Sequence, residues 1–277
     1  MALPATTKRA RGVEVPTLGL GTWQVTGRAC YEAVRHALEL GYRHVDTAAT
    51  YGNELEVGRA LTDSGVGRER VWLTTKVWPS ELEPGRLRAS VEGSLVRLGV
   101  DRVDLLLIHW PGADATLEPA LEEMTRLRDR DVTREIGVSN FPPSLFDRAL
   151  DIAPVLVNQV EYHAHLSQEV LRAIAEREDA LIEAYAPLGS GGSLLGDPVL
   201  EDIAAAHGRT PAQVALNWLA GQDRVVALPR STDAGRRAEN LEALSFELAP
   251  EERFRIDALA SERRRSFDPP WAAEWED

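Results

Sequence analysis

Short apolar segments alternate with amphipathic helical segments along this chain, and the alternation predicts a single (β/α)8 barrel, an α/β fold. Two further features support that fold class. The segments are apolar on both faces, as are the strands of a parallel sheet covered by helices, and no linker divides the 277 residues. The eight predicted strands are Thr17–Gly21, Arg43–Thr47, Val71–Lys76, Val103–His109, Glu135–Ser139, Val155–Val160, Ala180–Ala184 and Arg224–Leu228.

Segments with helical periodicity lie between these strands. In the first of them Val34, Ala37 and Leu38 fall on one face, and Gly41 supplies a natural C-cap. The predicted helices are Arg28–Leu40, Asn53–Leu61, Leu87–Leu98, Leu117–Leu127, Gln168–Glu176 and Pro211–Leu219. A doubly wound open sheet is the competing fold, but no G-x-G-x-x-G sequence follows a predicted strand. We expect one domain over residues 1–277, with a loose N-terminal arm at about 1–12 and a C-terminal tail at about 261–277.

The composition is that of a soluble globular protein and disfavours several classes of partner. Lysine and arginine total 31 against 44 aspartates and glutamates, a net charge of −13, which argues against nucleic acid and anionic membranes. No apolar run approaches the ~18 residues of a membrane span, and the N-terminal residues have no apolar core like that of a secretion signal. The single cysteine, Cys30, permits no internal disulfide. These features predict a cytoplasmic protein.

Four polar side chains are predicted to share one rim of the barrel. Asp46, Lys76 and His109 lie at or near the ends of predicted strands, and Tyr51 lies on the loop after Asp46. The carboxyl ends of barrel strands are where catalytic groups sit in this fold. Taken singly, each residue has an ordinary structural interpretation, such as a helix cap, a solvated charge, a rim aromatic or a buried histidine. Their convergence on one rim favours a shared chemical role.

The four residue types suit the protonation of a carbonyl oxygen while a hydride arrives from elsewhere. A tyrosine hydroxyl has an ordinary pKa of about 10, and a neighbouring ammonium is expected to lower that pKa. A buried ammonium needs a counter-charge, which Asp46 can supply. We therefore expect Asp46 to hold Lys76, Lys76 to tune Tyr51, and Tyr51 to donate the proton. His109 would orient the substrate oxygen.

Seven motifs resemble those of the aldo-keto reductases, in the same order over nearly the whole chain. They are GYRHVDTAATYGNELEVG (41–58), TKVW (75–78), LLLIHWP (105–111), GVSNF (137–141), NQVEYH (158–163), AYAPLG (184–189) and LPRSTDAGRRAENL (228–241). The chain is similar in type to the prokaryotic 2,5-diketo-gluconate reductases. The resemblance implies an NADPH-dependent oxidoreductase of the NADP+-linked alcohol dehydrogenase type, which reduces aldehydes and ketones to alcohols. It assigns catalysis to Asp46, Tyr51, Lys76 and His109, with Tyr51 as the general acid.

The resemblance also implies where NADPH or NADP+ binds. Ser139, Asn140 and Gln159 would hydrogen-bond the nicotinamide carboxamide, and Tyr185 would stack on the ring. The other cofactor-binding positions it implies are Gly21, Thr22, Pro187, Leu188, Arg230, Ser231, Thr232, Arg236, Glu239 and Asn240. Two positions depart from the family pattern, because Arg230 stands where lysine is common and Ala186 where serine is common.

The segment after the eighth predicted strand carries its own indication of a phosphate site. Arg230 and Arg236 cluster there with two hydroxyl side chains, and barrels often bind phosphate near strands seven and eight. A solvated basic patch is the alternative interpretation. By resemblance, Arg236 and Asn240 match the positions for the adenosine 2′-phosphate and the adenine, so NADPH is expected over NADH. The glycine-rich stretch 187–196 is expected to form a mobile flap over the pyrophosphate.

Three tryptophans indicate an aromatic-walled substrate pocket. Trp23, Trp78 and Trp110 each follow a predicted strand on the proposed active rim, and with His109 they would meet a small-molecule carbonyl substrate. Trp271, in the tail, either folds over the pocket mouth or trails from it. His163 is expected to be structural rather than a metal ligand, since no companion cysteine or carboxylate trio accompanies it, and no metal is expected.

Two other functions remain open from the residues alone. One is a regulatory protein that senses NADPH on the same barrel with negligible turnover. The other is a barrel glycosidase that uses two carboxylates, for which Glu161 and Glu183 are strand-end candidates. By resemblance the protein would be a monomer.

Overall fold

The computed structural model of this protein describes residues 6–191 and 193–276 and confirms the predicted (β/α)8 barrel. Eight parallel strands are hydrogen-bonded side by side in chain order, and a two-stranded hairpin precedes them. The hairpin strands are β1 (Thr7–Ala10) and β2 (Val13–Pro16). The barrel strands are β3 (Leu20–Gly21), β4 (His44–Asp46), β5 (Trp72–Val77), β6 (Val103–Ile108), β7 (Thr133–Ser139), β8 (Val157–Glu161), β9 (Leu181–Tyr185) and β10 (Val225–Leu228).

The first and last barrel strands meet and close the cylinder. The amide of Gly19 donates to the Ala227 carbonyl and the amide of Ala227 donates to the Thr17 carbonyl, each at 2.9 Å. Glycine is required at position 19 because a Cβ there would lie 2.6 Å from Leu228 and 2.8 Å from His44. The close approach of backbone to side chains at this seam lets β3 join β10.

Ten helices cover the barrel in the described part of the chain. They are α1 (Gly27–Leu40), α2 (Glu54–Asp63), α3 (Pro84–Leu98), α4 (Asp114–Asp129), α5 (Pro143–Ile152), α6 (Glu169–Arg177), α7 (Pro198–His207), α8 (Pro211–Ala220), α9 (Ala234–Glu242) and α10 (Pro250–Asp257). Four of these helices, α5, α7, α9 and α10, were not among the predicted ones. Three of them, α5, α7 and α10, begin with a proline at the first turn, and proline in a sequence indicates a turn as readily as a helix start.

The expectation of a loose N-terminal arm was wrong for its described residues. Strand β1 pairs antiparallel with β2, and Val13 and Val15 are buried in one cluster with Trp72, at the start of β5. The hairpin therefore closes the end of the barrel opposite the carboxyl ends of the strands. Residues 1–5 of the expected arm lie outside the described residues.

Apolar side chains fill the space between the sheet and the helices, and they also fill the part of the barrel interior next to the β1–β2 hairpin. Other strand positions carry buried polar side chains: His44 and Asp46 on β4, Thr74 and Lys76 on β5, Gln159 on β8 and Glu183 on β9. Among the described helices none combines the length and the apolar character needed to cross a bilayer.

Candidate active site

The four side chains predicted to act together lie close to one another at the carboxyl ends of β4, β5 and β6. Asp46 ends β4, Lys76 lies near the end of β5, and His109 directly follows β6. A short 3-10 turn, Ala49–Tyr51, brings Tyr51 back over the barrel. The ammonium nitrogen of Lys76 lies 2.6 and 2.8 Å from the two carboxylate oxygens of Asp46, and 3.3 Å from the Tyr51 hydroxyl. Lys76 thus joins the carboxylate to the phenol.

The Lys76 side chain is completely buried and remains a cation. Burial by itself would lower the pKa of Lys76, but the charge of Asp46 and hydrogen bonds to Asp46 and Tyr51 outweigh that effect, so the pKa lies above its ordinary value. The carbonyl of Thr47 accepts a third hydrogen bond from the ammonium at 3.0 Å. Every part of the buried charge is therefore compensated, as a buried ion pair requires.

The net shift of the Tyr51 pKa is opposite in direction to the one expected from the sequence. Burial raises the pKa of Tyr51 above its ordinary value, and Lys76, which acts to lower it, does not compensate fully. The hydroxyl is accordingly protonated at neutral pH and available as a proton donor. Lys76 still contributes, because its charge favours the phenolate that forms when the proton leaves.

His109 is a neutral imidazole beside this phenol. Burial, and then the charge of Lys76, lowers the pKa of His109 well below its ordinary value. The rings of His109 and Tyr51 meet edge to face with centroids 5.5 Å apart. The Nδ1 atom of His109 lies 3.4 Å from the Thr50 hydroxyl. A hydroxyl that donates to Nδ1 leaves the ring proton on Nε2, where it can be donated to a bound group.

The side chains predicted to face the nicotinamide form one polar cluster on β7, β8 and β9. The Ser139 hydroxyl donates to the backbone carbonyl of Gln159 at 2.8 Å, and the side-chain amide of Asn140 donates to the backbone carbonyl of His109 at 3.0 Å. The Tyr185 hydroxyl donates to the Asn140 side-chain oxygen at 2.8 Å. Asn140 adopts a left-handed backbone with φ of 62°, which asparagine tolerates better than most residues. The predicted positions Gly21 and Thr22 lie at the end of β3, where the Thr22 hydroxyl donates to the backbone carbonyl of Asp46.

A separate cavity of about 520 Å³ opens between the end of β10 and the start of α9. Its volume is that of a small-molecule or cofactor site. Predicted cofactor residues contribute much of its lining: Leu188, Arg230, Ser231, Thr232, Arg236, Glu239 and Asn240. The Arg230 guanidinium also reaches across to the Trp23 carbonyl and the Gln24 side chain, at 3.3 and 3.2 Å. Pro187 is buried and directly precedes Leu188 in the chain.

Asp233 is a lining residue of this cavity that the sequence did not single out. It caps α9 and accepts a hydrogen bond from the Arg236 backbone amide at 2.8 Å. Asp233 and Glu239 thus add two carboxylates to the lining of the cavity that also holds Arg230 and Arg236. An aspartate just before a helix is a common N-cap, and that was the available indication.

The glycine-rich stretch 187–196 holds short 3-10 turns in its described part, at Gly189–Gly191 and Ser193–Gly196. Leu194 is buried, whereas Leu188 and Leu195 line the cavity. Ala186 has a left-handed backbone with φ of 47°. Residue 192 lies outside the described residues.

The C-terminal tail lies across the rim of the barrel. The Glu161 carboxylate accepts hydrogen bonds from the backbone amides of Ser266 and Phe267 at 2.9–3.0 Å. Phe267 then packs edge-on against Trp23 and Tyr185, with centroids 5.0 and 5.5 Å apart. Phe267, which the sequence did not indicate, thus contacts Tyr185, the side chain expected to stack on the nicotinamide ring.

Trp271, farther along the tail, joins two of the predicted pocket tryptophans. Its ring centroid lies 5.7 Å from that of Trp78 and 5.1 Å from that of Trp110. Trp78 in turn meets His109 edge-on at 5.1 Å. Of the two arrangements considered for Trp271, the structure shows the one that covers the mouth of the pocket.

The two carboxylates considered for a glycosidase are both engaged. Glu161 holds the tail and also contacts the His163 ring at 3.1 Å, and Glu183 is fully buried against the Gln159 amide. His165 contacts Asp197 rather than His163. Within the described ranges, no three histidine, cysteine, aspartate or glutamate side chains form a group that could hold a metal ion.

Known proteins resemble this chain in both sequence and fold. The Aldo/keto reductase family matches residues 17–261. An aldo-keto reductase of Mycolicibacterium smegmatis is 41% identical over 93% of this chain and 94% of its own length. A 9,11-endoperoxide prostaglandin H2 reductase of Trypanosoma cruzi is 42% identical over 93% of this chain and 92% of its own.

A solved structure of a protein proposed to be 2,5-diketo-D-gluconic acid reductase B superimposes with a TM-score of 0.95. It is 37% identical in sequence and covers 99% of each chain. Together with the closed barrel, the family match over most of the chain determines the relationship. This chain belongs to the aldo/keto reductase family.

Proposed function

We propose that this protein reduces aldehydes and ketones to alcohols by hydride transfer from NADPH, with Tyr51 as the proton donor. The observation that carries the proposal is the position of Lys76, whose ammonium contacts Asp46 at 2.6 Å and the Tyr51 hydroxyl at 3.3 Å. All three side chains face the rim at which barrel enzymes bind their substrates.

The reaction divides between a bound cofactor and the residues of the rim. NADPH, when bound, would supply the hydride that adds to the carbonyl carbon. The electron pair of the C=O π bond moves to oxygen, and Tyr51 donates its hydroxyl proton to that oxygen. Lys76 stabilises the resulting phenolate, while the neutral His109 donates a hydrogen bond that orients the carbonyl. The hydride and the Tyr51 proton account for the two hydrogens that the carbonyl gains, and the product is an alcohol.

The residues present suit a nicotinamide dinucleotide carrying a 2′-phosphate. Gln159 has a side-chain oxygen that accepts no hydrogen bond from the described residues and suits a carboxamide N–H donor. Arg236 and Arg230 lie in the 520 Å³ cavity beyond, and a guanidinium binds phosphate through paired hydrogen bonds. We propose NADPH over NADH on this basis, although Asp233 and Glu239 offset part of the positive charge.

The substrate is proposed to be a small carbonyl compound that binds among aromatic side chains. Trp78, Trp110 and Trp271 surround the approach to His109. Trp23, which is 40% exposed, lies on the other side of the tail residue Phe267. Aromatic aldehydes and ketones match such walls best.

A single substitution tests the proposed chemistry. Tyr51→Phe removes the hydroxyl and keeps the ring that packs on His109, so we expect NADPH to bind with unchanged affinity while NADPH oxidation by an aldehyde panel is lost. Full turnover in this variant would refute Tyr51 as the acid. A wild-type protein that binds NADPH but reduces no carbonyl would instead support an NADPH sensor.

We further propose that the protein acts as a monomer in the cytoplasm. The most exposed large apolar side chains in the described ranges are Val96 on α3, Phe254 on α10, Trp271 in the tail and Leu55 on α2. They are distributed over different elements, whereas obligate interfaces use one continuous apolar patch. Size-exclusion chromatography at the working concentration would test the monomer.

A further inference from the structure

Glu183 lies inside the barrel and takes no part in the proposed chemistry. On β9 it lies on the same face as Leu181 and Tyr185, opposite Ile182 and Ala184, so its side chain points into the cylinder. It is completely buried, and one carboxyl oxygen, Oε2, lies 2.8 Å from the Gln159 amide nitrogen. The other oxygen, Oε1, has no hydrogen-bond partner among the described residues, since the nearest ring nitrogen of His44 is 3.8 Å away.

The Gln159 amide therefore bridges two carboxyl groups. Its nitrogen donates to Asp46 Oδ2 at 2.9 Å and to Glu183 Oε2 at 2.8 Å. An amide nitrogen has two hydrogens, and both are used in this arrangement. A flipped amide would set its oxygen against the Asp46 carboxylate, which can only accept, so Asp46 determines the orientation. The side-chain oxygen of Gln159 must point away from the two carboxyl groups.

We propose that Glu183 is a positioning residue for the reduction: it holds the Gln159 amide against Asp46 and so presents the Gln159 oxygen to the nicotinamide carboxamide. This inference rests on the proposed function, because it concerns how that reaction's cofactor is oriented. Through the same amide, Glu183 also restrains the carboxylate that pairs with Lys76. The effect on the cofactor passes entirely through Gln159.

The charge of Glu183 adds a second consequence. Burial, and then the nearby Asp46 carboxylate, raises the pKa of Glu183 to about 8. The charged and titratable groups around it are Asp46 and His44 on β4 and Lys76 on β5, and burial lowers the pKa of His44 to about 3, so that this ring is neutral. Ionisation of Glu183 near pH 8 puts a second negative charge beside Asp46. That charge disfavours the Tyr51 phenolate and slows proton donation.

Two variants separate positioning from simple packing. Glu183→Leu keeps the approximate volume and removes the acceptor, so Gln159 loses one of its two partners. Glu183→Gln keeps an acceptor oxygen for Gln159 and removes the ionisation. Both proteins are first checked for a wild-type circular dichroism spectrum and a cooperative thermal transition.

The decisive measurement is binding of two probes, NADPH and 2′-phospho-ADP-ribose, followed by quenching of tryptophan fluorescence. The second probe carries the phosphates and adenosine but no nicotinamide. In Glu183→Leu we expect NADPH affinity to fall roughly 3- to 10-fold, the effect of about one hydrogen bond, with 2′-phospho-ADP-ribose unchanged. Glu183→Gln should restore NADPH affinity at neutral pH.

The pH profile of aldehyde reduction supplies an independent result. The wild type should show a decline in kcat centred near pH 8 that Glu183→Gln lacks. Equal weakening of both probes in Glu183→Leu, or no weakening of either, overturns the positioning role. A decline that persists unchanged in Glu183→Gln overturns the charge effect. The binding comparison needs no turnover, so a wild type that binds NADPH yet reduces no carbonyl would count against the proposed function alone.

Discussion

The buried pair between Lys76 and Asp46 is the feature whose removal has the clearest predicted cost. The side chains are 0% and 6% exposed, and the shorter nitrogen–oxygen distance is 2.6 Å. At an effective dielectric constant of about 20, two unit charges at that separation attract by about 6 kcal/mol. Desolvation cancels much of this attraction when the pair forms, but removing one partner leaves the other buried and uncompensated.

Asp46→Asn is the perturbation that exposes this cost. The single side-chain oxygen of the introduced asparagine can face either Lys76 or Gln159, whereas the native carboxylate faces both donors. One of the two donors must therefore meet the amide nitrogen of that asparagine. We expect the free energy of unfolding to fall by about 3–5 kcal/mol, the range found for broken buried pairs. The double variant with Lys76→Met should lose less than the sum of the two single losses, because neither charge is then left alone.

Equilibrium urea unfolding at neutral pH, followed by circular dichroism and tryptophan fluorescence, measures these losses. Asp131→Asn is the matched control, because Asp131 pairs with Arg102 at 2.7 Å but the two side chains are 72% and 48% exposed. This exposed pair should contribute at most about 1 kcal/mol. The reasoning fails if Asp46→Asn costs no more than Asp131→Asn, or if the two single losses simply add in the double variant.

Because the pKa of Glu183 is raised, this carboxyl keeps its proton in the folded protein between pH 4.5 and about 8, whereas it loses the proton in the unfolded chain. In that pH window the free energy of unfolding of the wild type should fall by about 1.4 kcal/mol per pH unit relative to that of Glu183→Gln. The same pH dependence of the unfolding free energy in both proteins, measured by urea unfolding, would contradict this. Arg236→Ala should weaken NADPH binding roughly 10- to 100-fold and leave the affinity for NADH unchanged. Asp233→Ser keeps a residue that can cap the helix and removes a negative charge, so it should strengthen NADPH binding. If neither variant alters the ratio of NADPH to NADH affinity, the assignment of the 2′-phosphate site is wrong. Trp271 is 57% exposed, so Trp271→Ala should leave the thermal stability nearly unchanged. It should lower kcat/KM for aromatic aldehydes roughly 3- to 10-fold. The kcat/KM for a small aliphatic aldehyde, which serves as the control, should not change.

The barrel could be predicted because its sequence pattern is local and repeated. Each unit joins an apolar strand to an amphipathic helix, and a residue near the end of a strand, such as Asp46, Lys76 or His109, must lie at the common rim of a parallel barrel. The errors fell where local patterns are ambiguous. The β1–β2 hairpin has only four residues in each strand, too few for a periodic pattern, and its role depends on apolar contacts with Trp72.

The direction of the Tyr51 pKa shift shows a different kind of error. The sequence indicated an ammonium beside the phenol, and Lys76 does lie 3.3 Å from the hydroxyl. It did not indicate how far both groups are removed from water, and burial is the largest influence on that pKa. Desolvation depends on all the atoms around a group, which no spacing of two residues can report.

Strand order, the rim and the residue types available there were determined by the sequence itself, because alternation and strand ends are properties of neighbouring positions. Only the tertiary structure decided that Glu183 and Asp46 share one amide, that Phe267 lies against Tyr185, and that Trp271 joins Trp78 to Trp110. These contacts join segments far apart in the chain, and their geometry depends on how the closed barrel and the tail pack together.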